Sequence, residues 1–208
     1  PRLSEIGRKL AKMPVEPRIG RIVLAGDREA ALPMVLPIAA FMACEDPRRR
    51  PVEEKAKADQ AHAKFKSQAS DFASILKMWN WWLEETEALS QNKTRKLALA
   101  NYLSYTKMRE WQELSEQLTT FAKRLNLDLN GDKGGDEGLH RALLAGLLSR
   151  IGHYDTENRD YRGARGIRFL PFPGSALYKK PPQWIMAGEL FDTSRLFARE
   201  GAELNPEW

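Results

Sequence analysis

Apolar residues in this 208-residue chain recur with a helical period as far as Leu148, and from Ser149 onward that period is lost. Beyond the switch they are aromatic or β-branched and stand in short runs between Gly, Pro and Asp, which is how the strands of a small barrel or meander read. The pattern predicts strands near residues 148–155, 166–172, 184–192 and 196–203. A chain organised this way is α+β, a helical bundle first and a β unit last. Four or five strands within about 60 residues suit an oligonucleotide-binding (OB-fold) barrel better than a sandwich.

The β region also holds the excess of positive charge. Between Arg159 and Lys180, six basic residues (Arg159, Arg162, Arg165, Arg168, Lys179, Lys180) stand against one acid, Asp160, a balance of 6 − 1 = +5, and the whole chain is also +5. The run falls on the second expected strand and the connector before the third, elements that border the ligand groove in such barrels. Interleaved with Tyr161, Phe169, Phe172, Tyr178 and Trp184, it suits a polyanion whose bases can stack, nucleic acid before membrane or protein. A solvated basic loop has the same composition.

Ahead of the switch, Ser4 caps a short helix to Lys12 and Pro17 opens a second to Ala25. An apolar run spanning fifteen residues, 30–44, is broken by Pro33 and Pro37. It falls short of the roughly 18 to 20 needed to cross a bilayer, so it forms a buried kinked helix or helix pair. Pro51 heads a helix to Phe65, and Ser70 caps the next. There Phe72, Ile75, Leu76, Trp79 and Leu83 make one buried stripe, with Trp81 and Trp82 packing to either side. A single long helix is expected from Thr94 to Leu125, its second half buried through Trp111, Leu114, Leu118, Phe121 and Leu125.

In the first half of that helix Arg95, Tyr102, Tyr105 and Arg109 fall on one side. The row suits either a backbone phosphate or an exposed flank with pairs such as Arg109 to Glu113. Residues 126–138 form a loop. Asp128, Asn130 and Asp132 alternate as in a calcium loop, but Lys133 stands where the turn glycine belongs and Leu139 where the glutamate ligand belongs, which rules calcium out. A short helix from Leu139 closes the helical part.

No GxxxxGK[ST], HExxH or GxSxG motif is present, and His62, His140 and His153 show no ligand spacing. Lone Cys44 can form neither an internal disulfide nor a thiolate cage. The expectation is a chain without a catalytic, metal or cofactor site, in a reducing, cytoplasmic setting, with no membrane segment.

Several motifs in order resemble the C-terminal accessory region of bacterial DEAH-box ATP-dependent RNA helicases of the HrpA family. They are residues 3–18 (LSEIGRKLAKMPVEPR), 46–51 (DPRRRP), 70–72 (SDF), 101–103 (NYL), 108–112 (MREWQ), 140–148 (HRALLAGLL) and 172–186 (FPGSALYKKPPQWIM), followed by Glu189-Leu190 and residues 193–199 (TSRLFAR). The resemblance implies the tail of a winged-helix domain over 1–26, a helical helicase-associated (ratchet) domain over 27–138, and an OB-fold over 139–208. It implies single-stranded RNA and the RecA-like motor domains of the same protein as partners, with ATP and magnesium held by those motor domains and no cofactor here.

RNA-facing positions carry over where the motifs match: Ser175, Lys179 and Lys180 in the barrel connector, Arg165 and Arg168 before it, and Tyr102 and Arg109 on the ratchet. Eukaryotic members tend to carry His-Pro-Ser where this chain has Phe172 to Ser175, so activator-protein binding of the eukaryotic kind is not implied. The alternative is an interaction module in which Trp79, Trp81 and Trp82 dock on motor domains or a protein partner and the basic run only aids solubility.

Overall fold

The computed structural model describes residues 2–208. Its helices are α1 (Glu5–Leu10), α2 (Pro17–Arg28), α3 (Leu32–Ala43), α4 (Lys55–Ala63), α5 (Asp71–Thr86), α6 (Gln91–Ala100), α7 (Tyr105–Arg124) and α8 (Gly135–Leu147). Its strands are β1 (Ile151–Asp155), β2 (Asp160–Gly163), β3 (Arg168–Pro171), β4 (Trp184–Asp192) and β5 (Leu196–Glu203).

α3 is apolar on every side, and a helix of that kind is stable only where other helices cover it. Leu32, Val35, Leu36, Ile38, Ala39, Ala40 and Phe41 are all buried, and α2, α5, α7 and α8 pack around it. Of the two expected forms, a kinked helix or a helix pair, the pair does not occur: one helix runs through Pro37. The Pro37 carbonyl accepts a bond from the Trp111 indole N–H of α7 at 2.7 Å. Phe41 meets the same indole edge-on at 5.1 Å between ring centres. Trp111→Phe is expected to cost about 2 kcal/mol, one buried hydrogen bond plus a small cavity, read as a lower urea midpoint with an unchanged slope.

α8 crosses α2 closely because Gly146 has no side chain: a Cβ there would lie 2.3 Å from the Arg18 carbonyl oxygen and 2.5 Å from Ile22. The expected stripe of α5 shifts by one position at its end. Phe72, Ile75, Met78, Trp79 and Trp82 are buried, whereas Leu83 is 38% exposed. Spacings of three and four along 72, 75, 79 and 82 keep one face inward, and position 83 has rotated off it.

The long helix expected over 94–125 is two helices. Between them Tyr102 takes a left-handed conformation, φ 53°, and Ser104 caps α7 by accepting from the Lys107 amide. The interruption is held from outside: the Arg49 amide donates to the Tyr102 carbonyl at 2.8 Å and the Ser104 amide to the Pro47 carbonyl at 2.8 Å. The Asp46–Pro51 turn thus supplies backbone partners that a continuous helix would have left unused.

The β region closes as β1-β2-β3-β5-β4, with β4 pairing back to β1 and β3 running parallel to β5. Tyr161, Phe169, Leu177, Ile185, Ala187 and Ala198 fill the barrel. β2, the strand the pattern did not place, is four residues long with Tyr161 its one buried side chain. So short a run offers no alternation to read.

Met186 and Ala202 face away from the barrel filling and join the helical core, so that core extends onto β4 and β5. The seam is sealed at the start of α5. Ser70 accepts the Ala73 amide at 3.0 Å and donates to His140 Nε2 at 2.8 Å, while His140 Nδ1 donates to the Asp136 carbonyl. Burial holds the His140 imidazole below its usual pKa, in keeping with a neutral ring that donates from one nitrogen and accepts at the other. Asp71, the next residue, accepts from Ser175 Oγ at 2.6 Å, the Ala176 amide at 2.8 Å and the Gly201 amide at 2.8 Å. One carboxylate therefore ties the barrel connector and β5 to the helical part.

Candidate nucleic-acid interface

The barrel presents its basic run on β2, the β2–β3 turn and the connector from Phe172 to Gln183. Arg162, Arg165, Lys179 and Lys180 are exposed and form no ion pair among the described residues. Arg165 is left-handed, φ 56°, which turns the chain between β2 and β3. Tyr178, beside the two lysines, is 48% exposed.

Arg168 differs. Its guanidinium lies 2.5 Å from Asp155 and 2.5 Å from Asp160. This pairing raises the arginine's pKa and, with the Asn158 bonds, holds the Asp155 carboxyl far below the usual carboxylate range. It cross-links β1, β2 and β3, so its charge is already neutralised and it is a poor phosphate ligand. Ser175 is likewise engaged: its hydroxyl donates to Asp71 and accepts the Leu177 amide at 3.2 Å. The structure places these two residues in the framework of the site.

On the helical part the expected row is divided by the break before α7. Tyr105 and Arg109 remain together, with the Arg95 guanidinium 5.2 Å from the Tyr105 ring. A hydrogen bond from Gln91 and the nearby Arg109 and Arg95 lower the Tyr105 phenol's pKa. Arg109 pairs with Glu113 at 2.5 Å on the exposed flank. Tyr102 points elsewhere, beside Glu54, where partial burial and that carboxylate raise its pKa. It lines a shallow groove with Arg49, Pro51, Leu99 and Leu103.

In the turn before α4, Arg48 binds Asp46 at 2.7 Å and Arg50 binds Asp59 at 2.6 Å, while Arg49 is exposed and unpaired among the described residues. Of the interleaved aromatics, Tyr161 and Phe169 belong to the barrel core. Trp184 packs on His153 at 4.5 Å on the barrel's outer side.

The tryptophans of the alternative reading are not a docking face. Trp82 is 1% and Trp79 9% exposed. Trp81 lies against Phe65 at 5.1 Å and under the Lys64 ammonium at 3.7 Å. Among the described residues no group of three or more His, Cys, Asp or Glu converges as metal ligands would, and no helix is long and apolar enough to cross a membrane.

Comparison with known proteins gives this geometry a lineage. The chain is 40% identical over 207 residues to the ATP-dependent RNA helicase HrpA of Escherichia coli (strain K12), covering 100% of this chain and 16% of that protein. It is 37% identical over 206 residues to the ATP-dependent RNA helicase HrpA homolog of Haemophilus influenzae (strain ATCC 51907 / DSM 11121 / KW20 / Rd), covering 99% of this chain and 16% of that protein. It thus spans about one sixth of the length of these relatives. Residues 139–208 match the oligonucleotide/oligosaccharide-binding (OB)-fold family, the barrel and the helix leading into it. Residues 16–132 match the helicase associated domain (HA2), ratchet-like, and the chain belongs to that family.

Proposed function

We propose that this chain is the accessory portion of an ATP-dependent RNA helicase and that it grips single-stranded RNA along the barrel connector and the adjoining helices while motor domains elsewhere in the protein move the strand. The observation that carries this reading is the distribution of unpaired cations. Once Arg168 is set aside, Arg159, Arg162, Arg165, Lys179 and Lys180 all remain exposed on one barrel. Such cations neutralise phosphates without reading sequence, which is what a translocating enzyme requires of its track. ATP and magnesium would be bound by the motor domains, and a cytoplasmic setting belongs to the same reading. On the ratchet, Tyr105 can add a phosphate contact and Arg109 can join it only by leaving Glu113, while Tyr102 adds one from a separate site beside Arg49.

Fluorescence anisotropy of the chain with oligouridylate at several salt concentrations tests the grip. Log affinity should fall with log salt at about −0.7 per phosphate neutralised, and Lys179→Ala with Lys180→Ala should flatten the slope by about 1.4 and weaken binding roughly tenfold. An affinity indifferent to salt, or to both lysines, would remove the connector as the grip.

A further inference from the structure

Three phenylalanines lie outside both apolar interiors of this protein. Phe172, Phe191 and Phe197 belong neither to the helical core nor to the barrel filling. They gather on the outer side of β3, β4 and β5, where Phe191 and Phe197 are directly paired across the strands. Phe191 and Phe197 stack at 5.9 Å with 29° between planes. Phe172 meets Phe197 edge-on at 6.3 Å and Phe191 at 5.7 Å. Phe172 is 38% exposed, and Arg199 lies over Phe191, its guanidinium 3.8 Å from the centre of that ring and 5.4 Å from that of Phe172. Single exposed apolar residues are ordinary on protein surfaces. A packed aromatic cluster with an arginine laid over it is not, and it marks a contact surface.

We infer that Phe172, backed by Phe191 and Phe197 and flanked by Arg199, is a stacking platform for an unpaired base of a single-stranded nucleic acid. Two features select this occupant over an apolar protein segment. The platform stands at the head of the connector read as the phosphate grip, since Phe172 opens the segment that carries Lys179 and Lys180. Its rim is cationic: Arg199 makes no ion pair among the described residues, and a flat guanidinium over an aromatic ring leaves its other face free for a base. Every base has a π-face, so such a platform adds affinity without sequence preference. The inference rests on the reading of the chain as a single-strand grip and adds that bases are held here as well as phosphates.

The test titrates the whole chain with oligouridylate and with an abasic strand of equal length. Wild-type protein should prefer the base-bearing strand by about tenfold or more. Phe172→Leu, which keeps an apolar side chain against Phe191 and Phe197, should bring that ratio close to one by weakening only the base-bearing strand, and Phe172→Trp should restore it. Arg199→Gln should lower the ratio in part. If Phe172→Leu and Arg199→Gln keep the wild-type ratio while the double lysine variant still loses affinity, the platform is refuted and the grip survives. If wild-type protein binds neither strand, both readings fall. If Phe172→Leu leaves the ratio intact but abolishes self-association in sedimentation, the patch is a protein contact and the inference is wrong.

Discussion

Asp71→Ala is expected to lower the unfolding free energy by about 3 to 4 kcal/mol and the melting temperature by about 6 to 12 °C. The carboxylate satisfies two backbone amides and one hydroxyl at the seam, all at 2.6 to 2.8 Å. Removing it leaves the Ala176 and Gly201 amides without their partner in a half-buried place, and each unsatisfied donor costs about 1 to 3 kcal/mol. Asp71→Asn should cost about half as much, because the amide keeps one acceptor while its NH2 opposes an amide N–H. Ser175→Ala, which deletes a single contact, should cost about 1 kcal/mol. Chemical denaturation of the three variants gives the ranking. An Asp71→Ala protein as stable as wild type would mean that the shared apolar interior, and not this carboxylate, joins barrel to helices.

The same residue shows where reading the sequence succeeds and where it stops. Ser70 was legible as a helix cap because a capping hydroxyl bonds an amide three residues on, a local relation. That Asp71 reaches Ser175 and Gly201 was not, since those partners are 104 and 130 residues away. The bundle-then-barrel order was visible as a change of hydrophobic period. β2 was not, being too short to show one, and the break at Tyr102 was imposed by the Asp46–Pro51 turn packed beside it. The charge of the basic run could be counted, but not its pairing: Arg168 looked like a phosphate ligand until two aspartates on neighbouring strands met it. Arg199 and Phe197 lie in the motif 193–199, Phe191 in β4 and Phe172 at the head of the motif 172–186, yet only strand pairing brings them to one surface.

The second large effect is a pH dependence centred on Glu200. This residue is left-handed, φ 54°, and its side chain lies over Gly188, where a Cβ would come within 2.4 Å of Oε2 and 2.9 Å of Glu200 Cβ. Burial at the seam pushes its carboxyl up from 4.5 to about 7. Asp46, Glu189 and Asp71 add to that rise, and Arg48 opposes it. Arg150 also faces it, donating to the Gly188 carbonyl. A carboxyl whose folded pKa exceeds its unfolded one favours the folded state fully below the unfolded value, and that advantage is lost as pH rises through the folded value.

Wild-type stability should therefore lose up to about 3 kcal/mol from this group between pH 4.5 and 7. His62 and His140, held below their usual pKa mainly by burial, run the other way, destabilising the fold as pH falls below about 6.5. The comparison that isolates Glu200 is thus wild type against Glu200→Gln across the range. The two should be equally stable near pH 4.5, and the glutamine variant should be more stable by about 2 to 3 kcal/mol at pH 7.5. A difference that stays constant with pH would show that Glu200 is ionised in the fold throughout and that Arg48 and Arg150 outweigh its burial.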